Sequence, residues 1–183
     1  MFYSVDLGTV NAMGLSIFRW EICLVFLFAF SSVALGQTKF ETPFFQKVTG
    51  DWIGDGELVN ANGEITVIHE EWSGKETEDG TYLVSGSRLM GEENQEFRWE
   101  YTFNPTLDFY ECEYWHSGMD ESMRFEVSLT ADSAELRAPL GDPGSELKIR
   151  NDLVDDGIEG HITLTDANGQ EIVTGLVTHH KVN

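Results

Sequence analysis

From residue 50 onward, apolar side chains recur at every second position, and turn signals break the pattern about every ten residues. Phe97, Trp99, Tyr101 and Phe103 alternate with Glu96, Arg98, Glu100 and Thr102. Met123, Phe125, Val127 and Leu129 alternate in the same way with Arg124, Glu126 and Ser128, and Ile158, Gly160, Ile162 and Leu164 face away from Glu159, His161 and Thr163. A period of two gives a strand one buried and one wet face. The interruptions are turn chemistry: Asn62-Gly63, Asp79-Gly80, Asn104-Pro105, Asp142-Pro143-Gly144, Asp156-Gly157 and Asn168-Gly169. Between them lie about ten runs, at 51–59, 64–75, 81–90, 96–104, 109–117, 122–130, 134–139, 146–153, 158–165 and 170–182. Connections this short join antiparallel neighbours. An up-and-down barrel closes such a sheet and leaves no edge, and a β-sandwich is the alternative. One short helix precedes the strands. Thr42 caps Pro43–Val48, with the proline at the favoured first position.

The first 36 residues have a different character. The run from Ile22 to Phe30 is apolar and uncharged, follows Arg19, and ends in Ala34-Leu35-Gly36, a small-x-small cleavage pattern before Gln37. The expected organisation is a signal peptide over 1–36 and one β-barrel domain over 37–183, secreted or periplasmic. Met13 offers an alternative start with a conventional n-region. Cys112 is the one cysteine of the domain, so no internal disulfide is expected there.

Charge narrows the partners. With 11 Lys+Arg against 32 Asp+Glu, the chain carries −21 at pH 7. That excludes a basic footprint for nucleic acid or for an anionic membrane surface. After leader removal no membrane partner is expected, and the oligomeric state is left open. Hydrophobic residues make up 41% of the chain, enough for a packed core rather than an acidic disordered chain.

Gly50-Asp51-Trp52 heads the first strand, directly after the helix, and resembles the G-x-W signature of lipocalin-like (calycin) barrels. The segment Phe103-Asn104-Pro105-Thr106-Leu107-Asp108-Phe109-Tyr110, followed by Trp115-His116-Ser117-Gly118, is similar to a secreted bacterial lipocalin-like family of unknown function. The longer string Gly50–Gly56 resembles, more weakly, the opening of nitrobindin-type haem barrels. The resemblance implies a lipocalin-like barrel whose Trp52 closes the base beneath a cationic side chain of the last strand. In lipocalins that side chain is usually an Arg, and here the strand carries Lys181. The nitrobindin resemblance implies a proximal haem ligand from a late strand, at His179 or His180.

The residues themselves carry little catalytic signal. G-x-S-x-G, H-E-x-x-H, phosphate-loop and dinucleotide motifs do not occur, and no cofactor or metal is expected. His69-Glu70-Glu71 reads as a solvated strand, and His179-His180 as a solvent-facing strand end of which only one ring can turn inward. Glu111 and Glu113 belong to a wet face, which turns Tyr110, Cys112, Tyr114 and His116 inward. Asp166-Ala167-Asn168-Gly169 resembles part of a calcium loop without its distal Glu. Alternation and strand adjacency bring Tyr82, Arg88, Trp99, Tyr101, Tyr114 and His116 towards one interior volume. This is the expected ligand site, with Arg88 as partner for a ligand carboxylate. The functional expectation is an interior that binds a small apolar or amphipathic molecule. The alternatives are a haem-binding barrel and a filled barrel with a structural or interaction role.

Overall fold

A computed structural model describes residues 40–182, so the leader reading of residues 1–36 lies outside the described residues. One helix, α1 (Pro43–Val48), precedes ten strands. These are β1 (Gly50–Asn60), β2 (Ile65–Glu76), β3 (Tyr82–Met90), β4 (Glu93–Asn104), β5 (Phe109–His116), β6 (Met123–Leu129), β7 (Ser133–Pro139), β8 (Glu146–Val154), β9 (Gly157–Thr165) and β10 (Glu171–Lys181). Each strand pairs antiparallel with its sequence neighbours, and β10 returns to pair with β1 from Trp52↔Lys181 to Asn60↔Val173. The sheet is therefore a closed antiparallel barrel, not a sandwich.

Two of the hairpins share one device. In the β1–β2 turn, Asn60 Oδ1 accepts from the backbone N–H of Asn62 and Glu64. In the β9–β10 turn, Asp166 Oδ1 accepts from Asn168 and Gln170. Gly63 and Gly169 sit at φ 81° and 77°, where a side chain would be strained. The calcium-like string at Asp166 is thus hairpin chemistry, and these hydrogen bonds hold the Asp166 carboxyl below its ordinary range.

Helix α1 stops one end of the barrel. Thr42 caps it, its Oγ1 accepting from the Phe45 N–H at 3.5 Å. Phe44, Phe45 and Val48 are buried. Phe45 packs against the rings of Tyr82 and Tyr101 at centroid distances of 4.6 and 5.4 Å. Three hydrogen bonds fasten the plug: Trp52 Nε1 donates to the Val48 carbonyl, the Tyr82 hydroxyl donates to the Phe45 carbonyl, and Tyr82 also bonds the Thr49 hydroxyl. Trp52 is only 5% exposed and stacks on Trp72. Lys181 Nζ lies 5.6 Å from the centre of the Trp52 ring, so a lysine holds the cationic position over this tryptophan.

Candidate functional site

The closed sheet and its helical plug leave a partly enclosed cavity of about 110 Å³. Its walls are segregated. Aromatic surface comes from Trp72, Tyr82, Phe97, Trp99 and Tyr101 on β2, β3 and β4. Aliphatic surface comes from Leu136, Ile149, Ile158, Ile162 and Val177 on the opposite strands, and Phe44, Phe45 and Val48 form the stopper. Four polar side chains interrupt this lining: Glu70, Arg88, Asn151 and His179. A second depression, lined by Glu71, Ser85, Ser87, Glu96, Arg98 and Trp115 among others, is a shallow dish formed largely by outward-facing side chains.

Three of the four polar groups form a row fixed by strand register. Gln95 pairs with Arg88, Arg88 with Glu70, Glu70 with Gly54, and Gly54 with His179. Every position in that row points inward because strand neighbours in register share a face. Arg88 Nη1 lies 3.6 Å from Glu70 Oε1, and His179 Nε2 lies 3.0 Å from Glu70 Oε2. Arg88 Nη2 donates to Gln95 Oε1 at 3.2 Å and to the Tyr114 hydroxyl. The side chains of Arg88, Glu70 and His179 are 14%, 14% and 8% exposed.

The pair Glu70–His179 spans from β2 to β10 across β1, and Gly54 is what lets it. A Cβ at position 54 would stand 2.2 Å from His179 Cδ2. On the other side of the ring, a Cβ at Gly160 would meet Asn151 Oδ1 at 3.0 Å and His179 Cε1 at 3.9 Å. The T-shaped contact with Trp72, at a centroid distance of 5.5 Å, completes the setting of the imidazole.

Two nitrogens in this row lack a partner. Among the described residues, Arg88 Nε and His179 Nδ1 are the buried side-chain atoms with no hydrogen bond. A buried polar atom left unpaired costs about 1–3 kcal/mol. Buried ion pairs rarely add stability over a hydrocarbon core of the same shape. An interior row of charges with two open valences therefore points to something other than fold stability.

The structure places the expected residues unevenly. Tyr82, Arg88, Trp99 and Tyr101 line the cavity. Tyr114 stands behind it, its ring 4.1 Å from that of Trp99 and its hydroxyl bonded to Arg88. Burial raises the pKa of that phenol, although the Arg88 charge pulls the other way. His116 does not reach the cavity. It lies at the end of β5, half-buried, and its Nδ1 accepts from the Gly118 N–H, while burial and Arg88 lower its pKa. Arg88 already has a carboxylate beside it, Glu70 Oε1 at 3.6 Å from Nη1.

Two other expectations are corrected. His179-His180 is not a solvated strand end: His179 is 7% exposed inside the barrel, and His180 is outside. His69-Glu70-Glu71 is wet only at its first and third positions. His69 bonds Asp55 on the outer surface, while Glu70 turns inward. The signal for Glu70 was its parity with Ile68 and Trp72, and for His179 its parity with Val177. Among the described residues, no group of three or more His, Cys, Asp or Glu side chains could hold a metal ion.

No protein-family model matches this sequence, and no curated protein matches it. The structure has solved neighbours. The S-type phycobiliprotein lyase CPES from Guillardia theta aligns with a TM-score of 0.55 at 9% identity, covering 76% of this chain and 91% of that one. A protein of unknown function from the DUF3598 family of Nostoc punctiforme aligns with a TM-score of 0.51 at 12% identity. That match covers 75% of this chain and 49% of the other, so this chain spans about half of its length. At these identities the likeness shows the fold alone.

Proposed function

We propose that this protein binds a small, mostly apolar or amphipathic molecule inside its barrel, and does so outside the cytoplasm as a secreted or periplasmic protein. The observation that supports the reading best is the cavity itself: aromatic and aliphatic walls around a buried polar row that leaves Arg88 Nε and His179 Nδ1 unpaired. Apolar walls with a few convergent polar groups are the composition of small-molecule sites. The neighbours' shared architecture agrees with such an interior, and their likeness carries no more than that.

Volume sets the size class. About 110 Å³ is below the roughly 300–1,000 Å³ of sites for drug-sized ligands. It is close to the ~150 Å³ of an engineered apolar cavity that admits benzene. The ligand is therefore of single-ring size. The haem alternative finds less support, because a porphyrin exceeds this volume and His179 Nε2 is already committed to Glu70.

Intrinsic fluorescence tests the reading. Trp72 and Trp99 line the cavity, whereas Trp52 and Trp115 do not. Titration with toluene or phenol is expected to quench wild-type emission saturably, and Trp99→Phe is expected to lose much of that change. Absence of quenching by any single-ring compound would favour the filled, structural barrel.

A further inference from the structure

We infer that the interior site selects an uncharged, ring-sized ligand carrying a hydroxyl or primary amide, and rejects a carboxylate of the same shape. This rests on the binding function proposed above and adds the chemistry of the ligand's polar group.

Charge and donor count set this preference. Among the described residues, Arg88 is the one permanently cationic side chain on the cavity wall, and Glu70 lies beside it in the same row. A ligand carboxylate entering beside Arg88 would also enter beside Glu70. Two carboxylates sharing one desolvated site repel each other, and neither recovers its lost hydration. The site is built to hold its own anion, not to receive a second.

What remains open on the cavity wall is a donor and an acceptor. Arg88 Nη2 donates to Gln95 and Tyr114, while Nη1 stands 3.6 Å from Glu70 Oε1, an ion-pair distance longer than a hydrogen bond, so the guanidinium keeps a donor on the cavity wall. A carboxylate only accepts, so His179 Nε2 carries the proton in its bond to Glu70. Among the described residues, His179 Nδ1 has no hydrogen-bond partner. Asn151, on the same wall, offers both kinds. A hydroxyl or primary amide both donates and accepts and brings no charge. A carboxylate can satisfy only the donor, and a hydrocarbon satisfies neither.

Calorimetric titration at pH 7.5 with benzamide and benzoate, two probes of nearly the same shape, decides between these chemistries, with phenol and toluene as smaller probes. Wild type is expected to bind benzamide about tenfold or more tightly than benzoate, the size of one charged hydrogen bond lost or gained. Phenol is expected to bind more tightly than toluene. Glu70→Gln leaves Arg88 without its counter-charge and is expected to raise benzoate affinity relative to benzamide by about tenfold or more. Benzoate binding to wild type as tightly as benzamide overturns the inference and leaves the binding function standing. Failure of all four probes to bind overturns both. Should Glu70→Gln not fold, the wild-type comparison alone decides the matter.

Discussion

Gly54 shows how much a single missing side chain can arrange. It lies between Glu70 and His179 in the register of three strands, and its absent Cβ is the space through which they meet. Gly54→Ala puts a methyl group 2.2 Å from His179 Cδ2 if nothing moves, so the imidazole must leave its place. Glu70 then loses its hydrogen bond to His179 inside the barrel. We predict a loss of about 1–3 kcal/mol in chemical denaturation and, by NMR, a displaced His179 ring. A variant that matches wild type in both would mean that the Glu70–His179 contact is not held by this gap. The row was only half legible in the sequence. Arg88 declared itself by sharing a face with Tyr82 and Val84. Glu70 and His179 were masked by charged or polar neighbours at 69, 71 and 180, which make a short strand segment look solvated on both sides. Parity with Ile68 and Trp72 and with Val177 carried the information, but a parity argument is weak where the opposite face is also apolar, as at Val67 and Leu176.

Among elements, the strands were legible because a period of two and a turn residue are both local, and each predicted run lies within a few residues of its observed strand. The helix was legible from Thr42 and Pro43, yet its role as a plug was not, since that depends on the closed barrel below it. Phe45 illustrates the point. Nothing in the sequence around it indicates that its carbonyl accepts from Tyr82, 37 residues away. Closure of β1 on β10 was likewise an inference from edge avoidance and not a pattern in the residues. The segment before Gln37 belongs to the same scale. Its apolar run and Ala34-Leu35-Gly36 support a cleaved leader. N-terminal sequencing of the exported protein is expected to read Gln37, give or take a few residues, and an intact Met1 or Met13 would refute it.

For the molecule as a whole, the concentration of aromatic hydroxyls around the interior has a consequence for alkaline stability. Burial is the main cause that raises the phenols of Tyr101, Tyr110 and Tyr114 and pushes Tyr82 up to about 12. Burial also drives the Cys112 thiol far up. Each of these groups is neutral when protonated and has a folded pKa above its unfolded one. The stability they contribute is therefore complete below the unfolded values, near 10 for tyrosine, and is lost as pH rises through the folded ones. The unfolding free energy is expected to hold through neutral pH and to fall from about pH 9, where the unfolded thiol ionises, to about pH 12. Tyr82→Phe should give a shallower alkaline limb, together with a loss of roughly 0.5–1.5 kcal/mol at neutral pH from its hydrogen bonds to α1 and Thr49. Equal limbs for wild type and variant, followed by urea denaturation across that range, would show that Tyr82 ionises freely in the folded state.

Calorimetric titration of benzamide into wild type and Val84→Phe decides whether the interior volume is a binding site. Val84 lines the cavity beside Trp99, and a phenyl ring in its place occupies the volume that the ligand needs. Wild type is expected to show one saturable site, and a Val84→Phe variant that still folds cooperatively is expected to lose it. Undiminished binding by the variant, or none by wild type, would contradict an interior site.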